Sequence, residues 1–353
     1  MLKRWLQRVT LTDIVVWGIG VVIGGAVVYG TIVTLVTATY SAEQWINLTI
    51  DGLKLGGIYA LIALGYTLVY GVLRMINFAH SEVFMSGPFT AVFLAKYLHQ
   101  IGFYNAHPFI SLLLVTLLSA TVSMVVALLL ERIAYRRLRY APRLVPLITA
   151  IGASFFLQYT FRGMYGNDPE TYPTLEMLKG KWNFGIISVP KTDVVVIISA
   201  FLLMLILYTI VQITKTGKAM RSVSEDKETA ALMGIDVDRI IVYTFGLGGA
   251  SAGVAGVLYA LIFQQVHFYM GFIPGLKAFT AAVLGGIGNV VGAWLGGTLL
   301  GLIESIGPNL FLSGLGVPAP NQLKDAIAFT ILVFILIFRP TGLLGERVSG
   351  TKA

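Results

Sequence analysis

The fold class this sequence predicts is an all-α, polytopic transmembrane helical bundle of eight to ten segments, and three observations predict it. The stretch from Ile240 to Ile303 runs 64 residues with one charged side chain, Lys277, and 14 glycines. No water-soluble core has that character; it reads as membrane segments packed backbone against backbone, with glycine interrupting them where something passes or binds. Only 12% of residues are charged and 56% are apolar, at a mean hydropathy of +0.82, whereas a soluble domain carries about a quarter charged residues. Uncharged runs then recur at 14–37, 55–73, 83–95, 109–130, 144–161, 194–214, 240–276, 278–303 and 326–338, most of them longer than the roughly 18 residues that suggest a spanning helix. The 353 residues therefore form one membrane domain, 1–353, rather than two soluble ones.

Taken in order, the first run follows Lys3, Arg4 and Arg8. Its 24 residues exceed the roughly 7–15 of a cleaved signal's apolar region, so it reads as a retained N-terminal anchor helix at about 14–37. With a cytoplasmic N-terminus, the basic clusters at 132–143, 215–239 and 339–352 fall inside. That scheme needs two crossings between Arg74 and Arg132, two between Arg143 and Lys215, and an even number between about Gln264 and Gln322. Two short passages, about 274–288 and 289–306, supply the last pair, for ten crossings with both termini cytoplasmic. If those glycine-broken pieces are re-entrant, the count drops to eight or nine. Seventeen of the 25 Lys/Arg residues lie on the inner side of this scheme, a moderate positive-inside bias. The net charge of +8 is that bias and implies no nucleic acid. The polar 162–193 loop is the longest outer segment, either a docking surface for an external partner or a solvated connection.

Several chemistries are excluded. The chain has no cysteine, hence no disulfide framework or cysteine metal site. His80, His99, His107 and His267 show no i, i+4 pairing, and no serine stands in a Gly-x-Ser-x-Gly elbow. No phosphate-binding Gly-x-x-x-x-Gly-Lys-Ser/Thr loop occurs; Gly217-Lys218 is followed by Ala219. No cofactor, metal or catalytic set is expected.

Several features remain as candidates for function. In the inner loop 215–239, the residues from Glu225 to Met233 are good helix formers. Ser224 is placed to cap them, the acids Glu225, Asp226 and Glu228 suit a helix start, and Gly234 stops the run. The result is a short amphipathic helix whose apolar side, Ala230, Ala231, Leu232 and Met233, either plugs a groove on a cytoplasmic partner or belongs to an ordinary connection. Asn77, His80 and Glu82 sit at a break between two apolar segments, where polar groups either line a path or stabilise the break; their nearness to the inner face favours the structural role. Glu304 is the other acid inside an apolar run. The glycines Gly249 and Gly253, Gly288, Gly292 and Gly296, and Gly297 and Gly301 recur every fourth residue and read as close helix packing. Residues 56–97 and 246–306 share a plan, a glycine-rich helix, a short polar break and a second glycine-bearing helix, the break in the latter being Gly285, Gly286 and Gly288. Paired interrupted segments of this kind mark transporters built from repeats.

Glu228-Thr229-Ala230 with Gly234 resembles the Glu-Ala-Ala-x-x-x-Gly coupling loop of ATP-binding-cassette importer permeases. The run from Gly57 to Gly71, followed by Met75-Ile76-Asn77-Phe78-Ala79-His80-Ser81-Glu82, is similar to the first (H-type) permease of the branched-chain amino-acid permease family. Ser224-Glu225-Asp226-Lys227, Gly234-Ile235, Leu284-Gly285-Gly286-Ile287-Gly288 and the ending Phe338-Arg339-Pro340-Thr341-Gly342-Leu343 also match, so the resemblance covers roughly Ile46 to Gly345. Three departures stand out: Ser81 where the family usually has glycine, Thr229 in place of alanine, and the added N-terminal anchor. The resemblance implies a non-enzymatic permease subunit in a prokaryotic cell (inner) membrane, embedded in membrane lipid. It implies a second related permease subunit, two cytoplasmic ABC ATPases and an extracytoplasmic substrate-binding protein as partners. Glu225, Asp226, Glu228, Ala230 and Gly234 would couple to the ATPase. Asn77, His80, Glu82, Gly285, Gly286 and Gly288 would form the translocation path or the helix breaks. The cargo would be a branched-chain or related small apolar amino acid; urea or short amides, or an ion-coupled carrier or channel, are the competing readings.

Overall fold

The computed structural model describes residues 11–139, 141–142, 144–184, 187–339 and 341–345. Lys3, Arg4, Arg8, Arg143, Arg347 and Lys352 of the charge scheme, and Pro340 of the closing motif, lie outside the described residues. The membrane helices are α1 (Leu11–Val36), α2 (Ala42–Leu73), α3 (His80–Gln100), α4 (Pro108–Leu130), α5 (Leu144–Tyr165) and α6 (Lys191–Ile213). Two short helices, α7 (Lys215–Glu225) and α8 (Lys227–Leu232), precede α9 (Val237–Phe263), α10 (Phe272–Gly285), α11 (Val290–Gly307) and α12 (Lys324–Phe338). Among the described residues, eight helices are long and apolar enough to cross a membrane, namely α1, α2, α4, α5, α6, α9, α11 and α12. The remaining two passages are α3, 21 residues with Pro88 inside it, and the 14-residue α10. The all-α polytopic bundle is as the sequence predicts.

Helix α2 begins well before the uncharged run at 55. A capping box starts it, with Gln44 N–H donating to Ser41 Oγ at 3.3 Å and Ser41 N–H to Gln44 Oε1 at 2.8 Å. The charges that ended the apolar run are neutralised rather than expelled: Lys54 Nζ stands 2.6 Å from Asp51 and 2.9 Å from Asp193 at the start of α6.

Small residues set the packing, because in lipid no hydrophobic force draws helices together and close backbone approach does the work. Helices α2 and α11 meet so closely that a Cβ at Gly297 would overlap the Ala60 backbone, and one at Gly301 the Gly56 backbone. Gly249 and Gly253 of α9 sit likewise against Ser123 and Ser119 of α4. Gly288 differs from the stripe to which its spacing assigned it. Nothing lies within 4 Å of where its Cβ would be, and its φ is 101°. It serves the α10–α11 turn, together with Gly286 at φ 106°, because only glycine takes such angles cheaply.

The two regions with a shared plan end their long helices in the same way. Arg74 closes α2 at φ 58°, its N–H on Tyr70 O; Gln264 closes α9 at φ 55°, its N–H on Ala260 O. Each chain then turns back into the bundle. His80, the first residue of α3, packs over Gly65, eight residues and so about 12 Å back along α2. Gly271 and Gly275, at the start of α10, lie against Ser81. The two helix starts therefore meet, and neither carries a side-chain cap.

The 162–193 segment is a folded cover rather than a merely solvated connection. Strands β2 (Lys181–Phe184) and β3 (Ile187–Pro190) form an antiparallel hairpin, and β1 (Glu170–Thr171) pairs with β4 (Gln265–Val266) of the returning connector. Tyr172, Leu175 and Leu178 are buried beneath it. At the opposite end the segment after α12 closes on the α10–α11 turn, with Leu343 N–H on Leu284 O at 2.8 Å, Leu344 N–H on Gly285 O at 2.9 Å and Asn289 Nδ2 donating to Leu344 O at 3.0 Å.

Candidate functional site: an exposed peg and a polar break

The helix read over 225–233 is shorter than its sequence suggests. Glu225 ends α7, and Asp226 rather than Ser224 caps α8; the Ser224 hydroxyl turns back to Arg221 O at 2.7 Å. Asp226 accepts from Glu228 N–H at 2.9 Å, Thr229 N–H at 3.2 Å and the Thr229 hydroxyl at 2.6 Å. The Thr229 hydroxyl and these two N–H groups hold the Asp226 carboxyl below the usual aspartate range. Thr229, one of the departures from the family pattern, thus completes the cap. Gly234, at φ 84°, stops the helix, and Ile235 N–H closes it on Ala230 O at 3.1 Å. The apolar side divides: Ala230 is buried, while Leu232 is 88% and Met233 79% exposed. Arg74 Nη2 donates to Ser224 O at 2.7 Å, tying this unit to the end of α2. Burial, with Arg139 and Arg74 nearby, lowers the Lys227 ammonium.

The interior candidates divide as well. Asn77 does not serve the freed backbone of the break; its Oδ1 accepts from Tyr135 OH at 2.6 Å, because the helical extension of α4 delivers that phenol there. The His80 ring fills the space that Gly65 leaves open and lies edge-on to Tyr66, centroids 4.9 Å apart. Glu82 is 0% exposed. Its Oε1 accepts from Gln158 Nε2 at 2.8 Å and Ser154 Oγ at 3.1 Å, with Ser81 Oγ 3.3 Å away, while Oε2 has no partner. Gly285, Gly286 and Gly288 are not part of this cluster: they form the α10–α11 turn, and Gly288 lies beside Gly71 near the end of α2.

The pairing of two charges that the sequence singled out separately was not legible in it. Lys277 and Glu304, each 3% exposed, pair at 2.6 Å. Asp325 of α12 stands 2.6 Å from the same ammonium, and Tyr59 OH donates to Glu304 Oε1 at 3.3 Å. The cluster joins α2, α10, α11 and α12. A lone lysine in a 64-residue uncharged region, followed 27 positions later by a lone acid, was the available signal. Among the described residues the buried acids Asp193, Glu131 and Glu304 each have a cation, Lys54, Arg139 and Lys277. Glu82 has none.

Comparison with known proteins agrees with this architecture. Residues 47–336 match the family model described as branched-chain amino acid transport system / permease component. The chain is 39% identical over 310 residues to the high-affinity branched-chain amino acid transport system permease protein BraD of Pseudomonas aeruginosa, covering 86% of this chain and 96% of that protein. It is 38% identical over 313 residues to the corresponding permease protein LivH of Escherichia coli, covering 87% and 96%. A more distant likeness, 31% over 180 residues and 45% of this chain and 46% of the relative, joins it to the autoinducer 2 import system permease protein LsrC of Yersinia enterocolitica. No solved structure matches the chain. The match runs from within α2 to within α12, so this chain belongs to the family of branched-chain amino acid transport system permease components, transport subunits rather than enzymes.

Proposed function

We propose that the chain is the membrane-spanning subunit through which an ATP-driven importer moves leucine, isoleucine, valine or a related small apolar amino acid into a prokaryotic cytoplasm. It would pair with a second related permease, rest on two cytoplasmic ABC ATPases and receive cargo from an extracytoplasmic binding protein. Both termini and the α7–α8 loop then face the cytoplasm, as the distribution of Lys and Arg favours.

The observation that carries the reading is α8 itself: a capped peg that buries Ala230 and presents Leu232 and Met233 to solvent. An apolar tip on a rigid, hydrogen-bonded base fits a groove on an ATPase and transmits its closure as a rigid-body movement. Glu225, Asp226, Glu228, Ala230 and Gly234 form that base. Asn77, His80 and the glycine turn at Gly285, Gly286 and Gly288 hold the breaks about which the bundle would move. An ion-coupled carrier would use free acids in several helices, and three of the four buried acids are already neutralised.

The test is Glu228→Lys and Leu232→Glu in the reconstituted complex. ATP turnover should persist while amino-acid uptake falls. Full uptake by both variants would overturn the coupling role, and a partner binding protein that binds urea tightly and leucine not at all would overturn the cargo.

A further inference from the structure

We infer that the cavity between α3, α5 and α10 is a transit site for one α-amino acid. Its apolar side chain would lie against Phe78, Ile151, Phe155 and Phe272, and its ammonium against Ser81, Ser154 and the Glu82 carboxylate behind them. The inference rests on the function proposed above and names where in this chain the cargo is held.

The cavity measures about 150 Å³ and is open on the side of Ile151, Phe155 and Phe272, which are exposed. A cavity of roughly that size, when apolar, accepts a benzene ring, and the butyl and propyl side chains of leucine, isoleucine and valine are smaller than that. Its wall is mostly aromatic and aliphatic, with the hydroxyls of Ser81, Ser154 and Tyr66 of α2 as polar points. A sugar would leave most of its hydroxyls unpaired against such a wall, and urea has nothing to place there.

The polar side carries the specificity. Gln158 and Ser154 donate to one oxygen of Glu82, and the Ser81 hydroxyl, which donates to Phe78 O at 2.8 Å, stands 3.3 Å from the same oxygen, while Oε2 is a wholly buried acceptor without a partner. Such an acceptor is costly in isolation, and each of the other three buried acids has its own cation. An ammonium held at the serine hydroxyls, which stand 3.1 and 3.3 Å from Oε1, supplies the missing charge. Ser81 is the position at which the family pattern usually has glycine, so its hydroxyl is a feature of this chain. The uncapped starts of α3 and α10 meet at Ser81. Their positive dipole ends suit the carboxylate of the same molecule, as discontinuous helices do in other transporter sites.

The chain has no cysteine, so Ser154→Cys introduces a single thiol at the cavity wall. The complete transporter in proteoliposomes would be exposed to a small cationic thiosulfonate reagent, and labelling read on this chain's band. Leucine-loaded binding protein with ATP should slow labelling several-fold relative to unloaded binding protein with ATP. In parallel, Ser154→Leu, which fills the cavity, should lower the ratio of leucine to alanine uptake by at least about tenfold. Labelling that ignores leucine, or an unchanged uptake ratio in an assembled Ser154→Leu transporter, overturns the site; if that variant does not assemble, the labelling result decides. A wild-type complex that moves no branched-chain amino acid counts instead against the function proposed above, and is seen before any variant is made.

Discussion

Two buried carboxylates, Glu304 and Glu82, occupy opposite electrostatic situations in one bundle. Glu304 is riveted by Lys277 at 2.6 Å and joined by Tyr59, with Asp325 on the far side of the ammonium. Glu82 receives neutral hydrogen bonds from Gln158 and Ser154 on one oxygen, with the Ser81 hydroxyl 3.3 Å from it, and no cation on either oxygen. A charge removed from water needs a counter-charge and donors to be tolerated. The first carboxylate has both within the chain and holds four helices together. The second has the donors but no counter-charge, and it stands behind a cavity where an incoming ammonium would supply one. Burial alone therefore says little about what an acid does; its partners distinguish a fastening from a site.

The largest expected effect breaks the fastening. Lys277→Met leaves Glu304 buried and unpaired and should cost about 3–5 kcal/mol, read as a fall in the thermal midpoint of the purified complex. Lys277→Met with Glu304→Met should recover most of that loss, since an apolar replacement of a whole buried pair is often neutral. A double variant no more stable than the single would show that the cluster is not held as a pair.

Glu82→Gln sharpens the contrast. It should leave the midpoint far closer to wild type than Lys277→Met does, because the neutral side chain keeps its hydrogen-bonding neighbours, and should lower leucine uptake by about tenfold through the lost charge. A midpoint loss as large as that of Lys277→Met, with uptake per folded complex intact, would make Glu82 a second fastening. Ser81→Gly, a smaller change, removes one hydroxyl from the cavity and should lower uptake about fivefold, the worth of roughly 1 kcal/mol for one hydrogen bond, with the thermal midpoint little altered.

The smallest effect lies at α8, far from both acids in the chain, and serves as a reference for pH. The folded-state value of Asp226 is lowered, so its contribution is fully present above the unfolded aspartate value and is lost as pH falls through the lowered one. Amide exchange at Glu228 and Thr229, corrected for its intrinsic pH dependence, should be flat between about pH 6 and 8. Thr229→Ala should move the loss of protection to higher pH, towards the ordinary aspartate range; no change in that variant would remove Thr229 from the cap.

By itself the sequence determined the bundle, the order and approximate bounds of its helices, the peg ended by Gly234 and the family. These follow from hydropathy, helix formers and glycine placement, all carried within a few turns of chain. The start of α2 at Ala42 and the cap at Asp226 lay beyond it for one reason: the apolar run stops at Lys54, and Ser224 and Asp226 are both good caps by composition. Only the tertiary structure decided the pairing of Lys277 with Glu304, the meeting of Ser81 with Gly271, the separation of Gly288 from its apparent stripe, and the isolation of Glu82. Each depends on distances between segments far apart in the chain. Electrostatic and packing energies fall off within a few ångströms, so residues that read alike along the sequence part company once the helices are in place.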